Sequence, residues 1–286
     1  MFISPMLLEE QEEPFDDDRY LFEPKIDGHR MIVSLMNGKV QMYTKHNNIC
    51  TGQYPELFHV PVKPGCDVVL DGEVGYMNPD TGLFEFDTLL ERFKQRKGPK
   101  ILEGRLKWPV RYFVFDILHA DGADVRGLPF VERMALLDDI LTENEYYKKI
   151  IRVNGRGKVL FEAIQQLNLE GIVAKRKDSL YASGQTAGWM KIMNYQYENV
   201  PIVGYRKKHF ALLGQVTDQP EGRIELAMPA VLRRSFHSTA KGMITGEDRN
   251  YIYMEPQIRA CIRYRSKNKN GLPRAPEFVD LIIKAE

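Results

Sequence analysis

An α+β fold in two parts, a larger one built on antiparallel sheet and a smaller β barrel, is predicted from three features of the chain. Strand and helix signals mix without a regular βαβα alternation, which disfavours a doubly wound sheet. Asn37-Gly38, set between two apolar runs, is a strong hairpin signal. After about Tyr197 the pattern changes to short strand candidates separated by turn signals, as in a small barrel.

Taken in order, residues 20–23, 31–35 and 40–44 read as strands, the last two joined by the Asn37-Gly38 turn. Residues 67–76 and 110–118 are rich in β-branched and aromatic side chains and read as further, buried strands. Helical periodicity runs over residues 86–96, 131–141 and 158–167. In the second part residues 200–206, 211–217, 223–228 and 258–264 are the strand candidates, with a polar stretch around 237–249. The boundary is expected near residues 195–200, giving parts of 1–197 and 198–286.

Composition bounds the function classes. With 43% hydrophobic and 28% charged residues over 286 positions, the chain is not a disordered one. No apolar run approaches the ~20 residues of a membrane span. The first residues, MFISPMLLEEQEEP, lack the basic flank and small-residue cleavage site of a secretory signal, so a soluble cytoplasmic protein is expected. Cys50, Cys66 and Cys261 are isolated from one another and are expected to be reduced thiols.

A net charge of +1 by itself argues against a nucleic-acid partner, but it is an average. Residues 198–286 hold 15 Lys+Arg against 10 Asp+Glu, leaving 25 against 29 in the rest, so the second part carries +5 and the first −4. Arg206-Lys207-Lys208, Arg233-Arg234 and the stretch 263–269 with Tyr264 are the basic clusters available to phosphates.

The most informative stretch is Glu23-Pro24-Lys25-Ile26-Asp27-Gly28-His29-Arg30, directly between two strand candidates. A charged turn would explain it alone, but four other stretches keep it company. They are Leu70-Asp71-Gly72-Glu73, Phe113-Val114-Phe115-Asp116, Glu170-Gly171-Ile172-Val173-Ala174-Lys175 and Trp189-Met190-Lys191. In this order they resemble the motif series of the ATP-dependent DNA ligases, members of the covalent nucleotidyltransferase superfamily. The series is a K-x-D-G-x-R nucleophile box, a D-G-E box, an aromatic before Asp, an E-G box and a terminal lysine box. The phrasing of residues 170–176 and 271–278 is most similar to the ligase modules of bacterial end-joining enzymes.

The resemblance implies a nucleotidyltransferase domain followed by an oligonucleotide-binding (OB) barrel, with rotation about a hinge at residues 195–200. It implies nick sealing in three phosphoryl transfers through lysyl-AMP and 5′-adenylylated DNA, in repair, recombination or replication. Lys25 is then the catalytic nucleophile. Because an amine attacks only when neutral and free lysine has a pKa of ~10.4, nearby positive charge from Arg30, Lys45, Lys191 or Mg²⁺ is expected. Glu73 and Glu170 are the metal candidates, for Mg²⁺ or Mn²⁺, which needs few carboxylates beside substrate phosphate. Glu23, Ile26, Arg30, Lys45, Glu73, Phe115 and Lys191 are the ATP-binding candidates: Phe115 stacks on adenine, Glu23 reads its edge and Arg30 grips ribose and phosphate. Asp27 orients the lysine and Gly28 lets backbone approach the nucleotide. The implied partners are nicked double-stranded DNA and a Ku-like end-binding protein, for a monomeric bacterial or phage-encoded enzyme.

Four positions depart from the family pattern. Lys45 stands where an arginine is usual, Gln185 where an arginine often precedes the lysine box, and Met193 replaces that box's second lysine. Leu281-Ile282-Ile283-Lys284 lacks the usual Arg-x-Asp-Lys close. The losses fall on ATP phosphate contacts, so a catalytically degenerate nucleic-acid-binding protein stays open as a reading, as does an RNA ligase or capping-type enzyme. An NAD-dependent ligase is disfavoured, since 24 residues precede Lys25 and zinc-spaced cysteines are absent.

Overall fold

A computed structural model describes residues 1–217, 219 and 222–283, the side chains of residues 185–187 and 283 excepted. The Gln185 side chain and Lys284, two of the four departures, therefore lie outside the described residues. The chain divides into two compact units, Met1–Asn194 and Tyr195–Glu286.

In the first unit the strands are β1 (Met6–Glu10), β2 (Asp16–Pro24), β3 (His29–Met36), β4 (Lys39–Thr44), β5 (Val68–Gly75), β6 (Arg111–Ala120), β7 (Ala123–Asp124), β8 (Tyr147–Lys149), β9 (Val153–Arg156), β10 (Gly171–Arg176) and β11 (Gly184–Met193). The helices are α1 (Phe86–Phe93), α2 (Gly98–Lys107), α3 (Phe130–Ile140) and α4 (Gly157–Gln166). One sheet has the order β1-β11-β10-β2-β9 and the other β4-β3-β5-β6-β7, with β8 also on β6. Pairing is antiparallel except for β1 with β11 and β6 with β8. Those two parallel pairs join segments far apart in sequence, which a local hairpin signal does not report.

The local chemistry explains the central strands. Asn37 and Gly38 both take positive φ, 50° and 73°, as a two-residue turn matched to strand twist demands, and they set the β3–β4 register. In β5 every residue but Glu73 is buried, because α-helices and the second sheet cover a strand of Val, Leu and Gly on both faces. Among the described residues, Arg92–Glu56 at 3.1 Å and Arg133–Asp116 at 2.8 Å are ion pairs with both side chains completely enclosed. Arg133 is fully employed: its fork grips both Asp116 oxygens, and Nη1 donates to the carbonyls of Leu128 and Ser179. It thereby ties α3 to β6 and to the loop beyond β10.

The second unit holds β12 (Gln196–Arg206), β13 (Leu212–Gln215), β14 (Arg223–Leu226), α5 (Ala230–Ala240), β15 (Ile244–Glu247), β16 (Tyr251–Met254), β17 (Ile258–Tyr264) and β18 (Glu277–Ile283). β12 pairs with β17 along its first half and with β13 and β16 along its second, so one long strand organises the sheet. Val200, Ile202, Leu212, Leu226, Ile258 and Ile262 alternate into its core. The polar stretch expected around 237–249 instead contains the end of α5 and β15. Leu232, Phe236 and Ala240 recur at helical spacing on the buried side of α5, a period hidden by the polar residues between them.

A second helix, α2, was also not expected. Pro99 stands at its start, where a missing N–H costs nothing. Its inward residue is Gly104, and a Cβ there would press on the Arg92 side chain at 2.8 Å, whereas Leu102 and Leu106 face outward. The usual apolar stripe is thus absent. Among the described residues no helix is long and apolar enough to cross a membrane.

Two predictions rest on this packing. Arg133→Met should destabilise the protein by about 3–5 kcal/mol, read from urea unfolding, because it leaves Asp116 charged and buried without a partner. His29, stacked on Tyr54 and tilted against Phe93 with Nε2 2.7 Å from the Tyr54 hydroxyl, has its pKa lowered to about 4 by burial. Its folded pKa lies below the ~6.5 of free imidazole, so its contribution is present above that value and is lost as pH falls towards 4. His29→Phe should therefore lose less stability than the parent between pH 7 and pH 5, compared by urea midpoints.

Candidate active site

The nucleophile box sits in the connection from β2, in one sheet, to β3, in the other. Gly28 is required there by close approach: a Cβ would run into the Val74 carbonyl oxygen and the Glu73 side chain. The connection is also fastened to the E-G box, since the Lys25 amide donates to the Gly171 carbonyl at 2.9 Å. Gly171 has φ of 149° and backs directly on the Ile192 carbonyl, so no other residue fits. These contacts bring residues about 145 positions apart to one point, where the Lys25 ammonium donates to Glu170 Oε2 at 2.6 Å.

Both sheets contribute to a cavity here. Its polar lining is Glu23, Lys25, Arg30, Glu73 and Lys175. Its apolar lining includes Ile26, Phe115, Val173 and Trp189, so the site is largely apolar with a few convergent charges. Of the residues expected to bind nucleotide, Glu23, Ile26, Arg30, Glu73 and Phe115 line this cavity together with Lys25. Glu170 reaches it through Lys25.

Lys45 and Lys191 do not line it. Lys45 is exposed in the turn after β4, the edge strand that β3 separates from β5. Lys191 lies on β11 and pairs with Glu10, its register partner on β1, at 3.2 Å. Met193 is buried in the same strand. Arg30 is also less available than expected, because its Nε and Nη2 bond both oxygens of Asp71 at 2.9 and 2.5 Å. Tyr181 donates its hydroxyl to the same carboxylate at 2.6 Å.

The residue that sequence reasoning passed over is Lys175. It is fully buried, pairs with Glu23 Oε2 at 2.7 Å and donates to the Phe115 carbonyl. Its ammonium lies 4.3, 4.9 and 4.1 Å from the ring centres of Phe115, Phe130 and Trp189, an aromatic cage that replaces part of its lost hydration. The signal was present: a lysine two residues after an inward valine in an otherwise apolar strand. Phe115 is consequently a wall of this cage as well as of the cavity.

The electrostatics follow from burial. It pushes the Glu23 carboxyl up and the Lys175 ammonium down, each restrained by the other's charge. Burial pushes Glu73 up to about 8, with Lys25 and Arg30 opposing and the charge of Glu170 adding to the rise. Among the described residues, Glu23 Oε1 and Trp189 Nε1 are buried without a hydrogen-bond partner. One is an acceptor and the other a donor, and both belong to residues lining the cavity.

In the second unit four cations of the basic clusters are paired with carboxylates. Arg206 binds Glu225, Lys207 binds Glu247, Arg263 binds Glu277 and Lys267 binds Glu198, each at 2.7–2.8 Å.

Comparison with known proteins gives the family. The family model for the ATP dependent DNA ligase domain matches residues 5–193. The SPbeta prophage-derived DNA ligase-like protein LigB of Bacillus subtilis (strain 168) is 34% identical over 279 residues, 97% of this chain and 98% of its own. The ligase domain of M. tuberculosis LigD has the same fold at a TM-score of 0.58 and 21% identity, with 98% of this chain and 94% of that one covered. A Lig E DNA ligase superposes at 0.66 with 16% identity, over 99% of this chain and all of the other. The nucleophile box, the cavity and these matches together place the chain in the ATP-dependent DNA ligase family.

Proposed function

We propose that the chain seals nicks in double-stranded DNA through a lysyl-AMP intermediate on Lys25. The observation that carries this reading is the Lys25–Glu170 contact of 2.6 Å at the edge of a cavity with an unpartnered acceptor in its wall. Lys25 Nζ attacks the α-phosphorus of ATP; an N–P bond forms, the bond to the bridging oxygen breaks and pyrophosphate leaves. Glu170 is within reach to take the ammonium proton before attack. The DNA 5′-phosphate next displaces Lys25 from AMP, and the 3′-hydroxyl finally displaces AMP and closes the nick.

Adenine fits between Phe115 and the aliphatic lining. Glu23 Oε1 accepts from its exocyclic amine, while Oε2 is held by Lys175. A guanine oxo group at that position would set acceptor against acceptor. Lys191 and Lys45 serve the phosphates beyond the adenosine cavity, and Arg30, held by Asp71, is a rigid wall and a source of charge more than a free clamp.

Mg²⁺ fits the donor set. Glu73 and Glu170 offer hard oxygen atoms beside the nucleophile, and the burial that pushes the Glu73 carboxyl up to about 8 is a cost that a bound cation would offset. Among the described residues no cluster of three or more His, Cys, Asp or Glu forms a cage, which suits a metal held jointly with substrate phosphate. The ion would neutralise charge on the transferring phosphoryl group.

The second unit is read as an OB-type barrel that contacts the duplex, and the enzyme as a monomer of repair or end joining, with a Ku-like protein as recruiting partner.

Lys25→Ala should reduce sealing of a labelled nicked duplex to the level without enzyme. Glu23→Gln should slow AMP loading at limiting ATP by about 10- to 100-fold, the cost of one mismatched charge-assisted hydrogen bond, and leave the slow reaction with GTP nearly unchanged. Intact-mass time courses with the two nucleotides check it.

A further inference from the structure

Lys191, the cation assigned above to phosphates beyond the adenosine cavity, already has an anion. Its ammonium lies 3.2 Å from Glu10 Oε2, with the two side chains 22% and 44% exposed, so the pair stands at the edge of the site and is open to exchange. Sheet register says which edge. Glu23 of β2 is opposite Val173 of β10, Val173 is opposite Lys191 of β11, and Lys191 is opposite Glu10 of β1. Register partners share one face of a sheet, and Glu23 and Val173 line the cavity, so Lys191 and Glu10 continue that face past its rim. Three strand spacings of about 4.8 Å put Glu10 about 14 Å from the acid proposed to read adenine. β1 belongs to the site in its own right, because Leu8 also lines the cavity.

Stability does not account for the pair. Backbone already fixes this end of β1, since the Gln11 amide donates to the Lys191 carbonyl at 3.0 Å, and a half-exposed ion pair adds little. Glu9, one residue earlier, is opposite Met190 and so stands on the other face, where Met190 packs in the cluster that includes Phe161 and Ile164 of α4. For a polyanion the pair matters more. Phosphates that bind Lys191 must first take it from a carboxylate and then lie beside that carboxylate.

Given the ligase reading above, we propose that Glu10 is a positioning residue for the adenylylation step: it holds Lys191 between turnovers, yields it to the outer phosphates of ATP and recaptures it when pyrophosphate leaves. Glu10 touches no reacting atom. In the forward direction the N–P bond forms on Lys25 and pyrophosphate departs. In reverse a pyrophosphate oxygen attacks that phosphorus, the N–P bond breaks, and ATP and the Lys25 amine are restored. Glu10 opposes the binding of ATP and of pyrophosphate alike, so it weakens ATP capture and protects lysyl-AMP from reversal by the same factor.

The test uses the full chain with Glu10→Gln, which keeps the shape and removes the charge, beside Glu10→Asp and Glu9→Gln. AMP loading is followed by intact mass across ATP concentrations with excess Mg²⁺, and its reversal by adding pyrophosphate to loaded protein freed of ATP. In Glu10→Gln the half-saturating concentrations of ATP and of pyrophosphate should both fall about three- to tenfold, with the maximal loading rate and the urea midpoint unchanged. Glu10→Asp and Glu9→Gln should match the parent. Lys191→Met should raise half-saturation by ATP, and adding Glu10→Gln to it should have no further effect beyond about twofold.

Unchanged half-saturation in Glu10→Gln would overturn the proposal. An equal fall in Glu9→Gln would overturn it by making the effect one of general surface charge, and a full effect of Glu10→Gln in the absence of the Lys191 ammonium would overturn the route through Lys191. A lowered urea midpoint with unchanged half-saturation would leave Glu10 a staple of β1 only. Failure of the parent itself to load AMP would sink the ligase reading, and this role with it.

Discussion

The first unit depends on one buried ammonium. Lys175 is the point at which the two sheets, the acid proposed to read adenine and the aromatic wall are fixed to one another: it rises from β10, binds Glu23 of β2 and donates to Phe115 of β6. A lone lysine in such a place would shed its proton. The carboxylate of Glu23 and the faces of three rings keep the charge tolerable, and in return their positions are no longer independent. Because Lys175 takes only one oxygen of Glu23, the other is left as a buried acceptor, which is the kind of group that makes a pocket selective.

A second constraint is steric. Gly28 and Gly171 let four backbone segments meet where any side chain would hold them apart, and Lys25 and Glu170 touch there. The ordered motifs are therefore more than a set of reactive groups. Some of their residues are reactive and others are spacers, and neither set assembles the site alone. Asp116 and Asp71 belong with the spacers: each is spent on an arginine, and each stiffens a wall of the cavity.

Much of this was legible before any coordinates. The Asn37-Gly38 hairpin, the buried runs at β5 and β6 and the helices α1, α3 and α4 follow from turn chemistry and periodicity. What periodicity missed has a common cause. α2 packs by a glycine on an arginine stem and so lacks an apolar stripe, β1 and β8 join their sheets in parallel from a distance, and α5 hides three apolar residues among polar ones. Net charge also hides a division. It averages −4 in the first unit with +5 in the second. In the site, local motif order found the residues that line the cavity, but the capture of Arg30 by Asp71 and the buried position of Lys175 are tertiary facts that no local pattern carries.

The central claim is that this cavity delivers the α-phosphate of ATP to Lys25. Peptide mapping by tandem mass spectrometry, after incubation of the folded protein with ATP and Mg²⁺, tests it most directly. The account predicts a single AMP on the peptide that contains Lys25, released on addition of nicked DNA. An AMP on a different lysine, or none on protein that remains folded, would contradict it.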